Sequence, residues 1–65
     1  MTFKEMLDQD FIPAIEEMKI KEKKHLDFLV ENNAPNDFIA MSMKHYVHFC
    51  QRLEEYKNYY LTIPD

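Results

Sequence analysis

Apolar residues recur every three or four positions through the first half of the chain, which is the spacing of one face of an α-helix. Thr2 and Glu5 fit a capping box, so this helix is predicted to begin at about residue 3. Pro13 interrupts the stripe without moving it to another face, and we therefore predict a kink near Gln9 and Asp10. A separate helix capped by Asp10 is the alternative. The stripe consists of Phe3, Leu7, Phe11, Ile15 and Met18.

A second stripe follows the cluster of turn residues at 31–37, ENNAPND. Asn33 or Asn36 is expected to cap the next helix, with Pro35 in its first turn. Beyond this turn the spacing alternates strictly between three and four, which indicates a heptad seam with one polar member. The seam consists of Ile39, Ser42, Tyr46, Phe49, Leu53, Tyr56 and Tyr60.

The two stripes predict an all-α fold, an antiparallel helical hairpin with helices at about 3–31 and 35–61 in a single domain, 1–65. Folding the chain at the central turn opposes apolar residues along its whole length. The expected pairs are Leu7 with Tyr60, Phe11 with Tyr56, Ile15 with Leu53, and Met18 with Phe49.

Both stripes break at the same level of this hairpin. Folding places Glu22 beside His45 or Tyr46, and His25 beside Ser42. A polar layer is therefore expected to cross the hairpin. We interpret it as a device that fixes the register of the helices, so that leucine in place of Glu22 or His25 should leave the fold intact.

Length and composition restrict the classes of protein to consider. The chain has 65 residues, a net charge of −4, one cysteine (Cys50) and no glycine. A chain of this size buries only about 60% of its unfolded surface, so an oligomer is favoured. The missing glycines disfavour turns and phosphate-binding loops with positive φ. A single cysteine, no signal-peptide pattern and no apolar run of about 20 residues predict a reduced, cytoplasmic protein.

The candidate chemical groups do not form a known catalytic or metal-binding pattern. Glu22 and His25 have the Glu-x-x-His spacing of dimetal four-helix bundles, but the second helix lacks the glutamate that such sites require. His45 and His48 are one turn apart, yet structural zinc needs four ligands. The only serine, Ser42, has no triad partners or glycine-rich oxyanion hole around it. We predict no enzymatic activity, no cofactor and no metal.

Basic residues near the middle of both helices suggest one binding function. They could form a band that meets the phosphates of a nucleic acid, although acidic residues are interspersed among them. The candidate nucleic-acid-binding residues are Lys19, Lys21, Lys23, Lys24, Lys44 and Arg52.

Apolar residues outside the seams favour protein binding instead. Phenylalanines, methionines and aliphatic residues lie on more of each helix than one helix–helix contact can cover. We therefore predict a homodimer, forming a four-helix bundle, of a small regulatory or adaptor protein that also binds a protein partner. The open end of the hairpin carries the expected partner-binding residues, Tyr56, Tyr59, Tyr60 and Ile63.

Overall fold

The computed structural model describes residues 2–64, and every regular element in that range is helical. The first arm comprises α1 (Phe3–Met6), a π-helical turn (Leu7–Phe11) and α2 (Ile12–Glu31), which follow one another without a break. A short turn leads into the second arm, α3 (Asn36–Thr62), which packs against α2. The hairpin is 48 Å long and 15 by 10 Å across. The predicted hairpin of two long helices is confirmed.

The two arms begin differently. Thr2 Oγ1 accepts a hydrogen bond from the Glu5 N–H at 3.2 Å, as the sequence predicts for the start of α1. At the start of α3, Pro35 occupies the cap position and no side chain caps the helix. The predicted cap from Asn33 or Asn36 is therefore wrong. The Pro35 carbonyl accepts hydrogen bonds from the Phe38 and Ile39 amides. Asn36 is therefore the first residue inside α3 and not its cap.

The turn between the arms is a Schellman motif built around Asn33. The Ala34 N–H donates to the Leu29 carbonyl at 2.9 Å, and the Asn33 N–H donates to the Val30 carbonyl at 3.2 Å. This pattern requires a left-handed residue, and Asn33 has φ of 54°. The sequence has no glycine, and we therefore did not expect a turn with positive φ. Asn33 adopts this conformation instead, at the only such position in residues 2–64.

We expect Asn33→Ala to lower the free energy of unfolding by about 1 kcal/mol, because the alanine Cβ makes a left-handed backbone unfavourable. Asn33→Gly should be neutral or slightly stabilising, since glycine adopts this conformation without strain. Urea denaturation of both variants measures the difference. Asn36→Ala is the matched control, because Asn36 makes no cap hydrogen bond. Equal stability of the alanine and glycine variants would contradict the argument.

One face of α3 packs on the first arm, and it is the predicted heptad seam. Leu53 and Ser42 are the most enclosed of its residues, at 7% and 2% exposed. The predicted pairing of Phe11 with Tyr56 is confirmed, since their ring centroids lie 6.3 Å apart. All seam positions are buried or half-buried: Ile39, Ser42, Tyr46, Phe49, Leu53, Tyr56 and Tyr60.

The inner face of the first arm differs from the predicted stripe. Leu7 is buried and Ile15 half-buried as expected, but Phe3, Phe11 and Met18 are 51%, 41% and 47% exposed. The predicted place of Met18 in the core is therefore wrong. The residues that turn inwards are Lys4, Met6, Leu7, Ile12, Ile15, Lys19, Glu22, Leu26 and Leu29.

The π-helical turn explains this difference. From Leu29 back to Ile12 the inward residues are three or four apart, but the next one, Leu7, lies five residues before Ile12. The Ile12 N–H bonds to the Leu7 carbonyl, which widens the helix by one residue. Without that extra residue the exposed Asp8 would point into the seam. Pro13 has no N–H for the Gln9 carbonyl, so the disturbance expected beside it takes the form of this turn.

Candidate functional site

The polar layer brings together the four residues that the sequence assigned to it. The Ser42 hydroxyl donates to Glu22 Oε1 at 2.9 Å. The same oxygen lies 3.6 Å from His45 Nδ1 and 3.8 Å from His25 Nδ1. The Glu22 side chain is 17% exposed, whereas each histidine side chain is 57% exposed. Glu22, rather than His25, therefore contacts Ser42, and the two imidazoles cover the carboxylate from the surface.

The histidines and the cysteine do not converge on one point. His48 lies beside Met41 and His45 in a shallow groove, and its ring centroid is 6.0 Å from that of Phe49. Cys50 is a free, half-buried thiol. Within residues 2–64, no three His, Cys, Asp or Glu side chains are grouped so that they could hold a metal ion. The layer is a hydrogen-bonded carboxylate flanked by two imidazoles.

The tyrosines at the open end form a patch with aromatic residues of the first arm. Tyr59 is 55% exposed, and its ring meets Phe3 edge-on at 5.8 Å. The ammonium group of Lys4 lies 4.9 Å from the centre of the Tyr60 ring, a cation–π contact. Ile63 is half-buried beyond the end of α3. We call this surface the open-end patch; it comprises Phe3, Phe11, Tyr56, Tyr59 and Tyr60.

The candidate basic residues are spread around the hairpin and several are paired. Lys21 lies 3.2 Å from Glu17, and Arg52 lies 3.6 Å from Glu55. Lys23 donates to Asp27 at 2.9 Å, and this hydrogen bond raises the pKa of the Lys23 ammonium group. Of the others, Lys19 is half-buried, Lys24 shares a groove with Lys19 and Lys23, and Lys44 lies on α3 beside Met41, His45 and His48.

One side of the hairpin, which we call the histidine face, joins two rows of exposed residues. The contacts of His25 and His45 with the same Glu22 oxygen show that the two rows lie side by side. Within each row the spacing alternates between three and four, so each row follows one helix face. The rows are Phe11, Ala14, Met18, Lys21, His25 and Phe28 on the first arm, and Phe38, Met41, His45, His48, Arg52, Glu55 and Tyr59 on α3.

The histidine face is apolar at both ends and polar in the middle. Near the turn, Phe28, Phe38 and Met41 are each 60% exposed, and we call them the turn patch. Near the chain ends the face runs into the open-end patch through Phe11 and Tyr59. Sequence reasoning assigned Phe3 and Phe11 to the core and so missed their place in this surface, because it could not anticipate the π-helical turn.

The opposite face of the hairpin carries both charged residues and exposed apolar ones. Lys57 and Glu16 join the two arms across it, with 3.6 Å between the ammonium and carboxylate groups. Nearer the turn, Met43 lies in a groove with Val30 and Lys23, and in a second groove with Val47. On α3 the apolar residues of this face, Ala40, Met43, Val47 and Cys50, are therefore concentrated in the half nearer the turn, and the charged Glu54 and Lys57 lie nearer the open end.

Comparison of the chain with protein-family models, with curated proteins and with solved structures finds no match. None of the described helices is both long enough and apolar enough to span a membrane. The function must therefore be inferred from the exposed surfaces themselves.

Proposed function

We propose that this chain is a small, non-enzymatic regulatory or adaptor protein that acts by binding protein surfaces with its helix faces, and that it does so as a homodimer. The observation that carries the proposal is the imbalance between core and surface. Leu7 and Leu53 are the only buried apolar residues in residues 2–64, whereas twelve large apolar side chains there are 41–78% exposed. Large exposed apolar patches on small proteins mark sites of interaction.

The total surface supports the same proposal. The accessible area is 5169 Å². A folded monomer of 7.9 kDa is expected to expose only about 4,400 Å². The excess of about 750 Å² is close to the roughly 800 Å² that each partner buries in a standard protein–protein interface. Binding to another protein surface would reduce the exposed area of the chain to about the value expected for a folded protein of this mass.

The open-end patch is the part of the surface best suited to a protein partner. Tyrosine provides a large contact area at a small entropic cost, and its hydroxyl tolerates a wet rim. Tyr59 is held edge-on by Phe3 while it remains more than half exposed, so little order is lost on binding. Tyr56, Tyr60 and Ile63 are half-buried and would support it from beneath.

We expect Tyr59→Ala to weaken partner binding by about 1–3 kcal/mol, as for an interface hot spot. The change should alter the helix content little, because Tyr59 is 55% exposed. The test is a pull-down with the full chain, followed by nuclease treatment of the eluate and mass spectrometry. Affinity for any captured protein is then measured by titration, with circular dichroism as the check on folding.

Leu61→Ala is the matched control, because Leu61 lies on α3 near Tyr59 and is 78% exposed. Nucleic-acid binding, the competing function, predicts that Lys19→Gln with Lys23→Gln is the damaging change. It also predicts that affinity for labelled RNA or DNA falls steeply with salt, because counterions are released. Submicromolar, salt-sensitive binding that requires these lysines would overturn the proposed function.

A further inference from the structure

We infer that the partner of the open-end patch is the turn patch of a second copy of this chain, and that two hairpins pair antiparallel through their histidine faces. This inference rests on the proposed function, since it names the partner of the same surface. Both patches lie on one face, both are apolar, and the polar residues between them separate them along the hairpin. Such an arrangement can be complementary to itself.

The spacing of the patches makes the pairing geometrically consistent. On the first arm Phe11 and Phe28 are 17 residues apart, and on α3 Met41 and Tyr59 are 18 residues apart. At about 1.5 Å per residue, each separation is about 26 Å. A two-fold axis across the middle of the face would then bring both pairs of patches together at once, as an isologous interface requires.

The midpoints of these intervals coincide with the middle of the hairpin. They fall between Lys19 and Ile20 on the first arm and at Cys50 on α3, close to the centres of arms that span residues 3–31 and 36–62. An antiparallel pair about this axis therefore overlaps along nearly the full 48 Å of the hairpin. It would place Phe11 against Phe28 of the second copy, and Tyr59 against Met41 of the second copy.

The charges on the face favour this orientation over a parallel one. The polar middle contains Lys21, His25, His45, His48 and Arg52, with Lys44 at its edge. Their acidic neighbours are Glu17, Glu22 and Glu55. A parallel pair would set His25 and His45 of both copies at one level. An antiparallel pair moves the two clusters of His25 and His45 to opposite sides of the axis, and it sets Glu55 of one copy opposite His45 of the second copy, a carboxylate facing an imidazole.

Two methionines of α3 provide a matched test of the face. Met41 belongs to the turn patch and is 60% exposed; Met43 lies on the opposite face and is 52% exposed. We expect Met41→Lys to raise the dimer dissociation constant by at least about 30-fold, because the change occurs twice in a symmetric interface. Met43→Lys should change it by less than about threefold. Sedimentation equilibrium at several concentrations gives both constants.

Circular dichroism at the same concentrations shows whether the released chain stays helical, so loss of the dimer is recognised even if it is coupled to unfolding. Equal effects of the two methionine changes, or a wild-type protein that stays folded as a 7.9 kDa monomer, would overturn the inference. In that case Tyr59-dependent binding of a different protein would still support the proposed function. If binding of a different protein is absent while Met41→Lys dissociates the dimer, the adaptor function fails and the inference stands.

Orientation is tested by one spin label at the turn. Asn36→Cys in a Cys50→Ala background places a single label on each copy, at the first residue of α3. Asn36 lies 14 residues from the axis at Cys50, so pulsed electron paramagnetic resonance should give a separation of about 40 Å at about 1.5 Å per residue. A separation below about 25 Å, which neighbouring helices packed 8–10 Å apart would give, would show a parallel pair and refute the antiparallel assignment.

Discussion

Leu53→Ala is expected to abolish the folded hairpin at room temperature. Leu53 is 7% exposed at the centre of the seam, and only Leu7 among the other described apolar residues is buried to that degree. Truncating a buried leucine costs about 2–5 kcal/mol. A chain of this size rarely gains more than about 3–5 kcal/mol from its core. The loss therefore equals most of the available stability. Far-ultraviolet circular dichroism and urea denaturation measure it.

Leu61→Ala is the control, since the same substitution eight residues along the same helix removes a side chain that is 78% exposed. It should change the free energy of unfolding by no more than about 0.5 kcal/mol. If the two variants unfold at the same urea concentration, the seam is not the core of the folded species. A stable dimer would raise the starting stability of both proteins, so the comparison is made at equal concentration.

The sequence predicted α3 in detail because one regular pattern governs it. The alternation of three and four from Ile39 to Tyr60 leaves a single choice of inner face, and the structure uses that face. Ser42 broke the pattern without moving it, and it is the most enclosed residue of the seam, at 2% exposed. The three-four spacing is continuous along α3 even at its polar member, so packing on the first arm selects this face.

The first arm was predicted less well, because its pattern contains a shift that spacing alone does not reveal. Steps of four from Leu7 to Phe11 and Ile15 describe a regular helix, but the π-helical turn adds one residue between Leu7 and Ile12. Phe11 consequently moves to the surface, and Ile12 takes its place. Pro13 was the available signal: a residue without an N–H releases a carbonyl one turn earlier, which either a kink or a π-helical turn can accommodate.

The candidate site was foreseen where both stripes failed at one level. Glu22, His25 and Ser42 interrupted the apolar stripes at one level, which predicted a polar layer, but the predicted neighbour of Ser42 was His25 and the structure has Glu22 there. The heptad pattern does not show which side chain accepts the Ser42 hydrogen bond, because that depends on the length and conformation of the side chains. In the structure the acceptor is the Glu22 carboxylate. The histidine face could not be predicted as a unit, because the row on the first arm becomes visible only after the π-helical turn places Phe11 outside.

The contact between Glu22 and Ser42 leads to the last prediction. The sequence alone predicted that Glu22→Leu leaves the fold intact, but the hydrogen bond to Ser42 changes this expectation. We expect Glu22→Leu alone to lower the free energy of unfolding by about 1–3 kcal/mol, because the buried Ser42 hydroxyl loses the acceptor that lies 2.9 Å away. The double variant Glu22→Leu with Ser42→Ala should recover this loss and be at least as stable as the wild-type chain. Replacing both buried polar partners removes the cost of desolvating them. Urea denaturation of the two single variants and the double variant completes the cycle.

His25→Leu tests whether the exposed histidine contributes to the stability of the polar layer. The His25 side chain is 57% exposed and lies 3.8 Å from the carboxylate, a distance too long for a direct hydrogen bond. Its replacement should leave the fold intact and change stability by no more than about 0.5 kcal/mol. Additive losses in the double variant would show that the layer contributes net stability, and the argument that Glu22 and Ser42 serve register would then be wrong. If Glu22 and Ser42 fix the register, the double variant should recover its stability. Its amide hydrogen exchange should then show weaker discrimination between alternative helix registers.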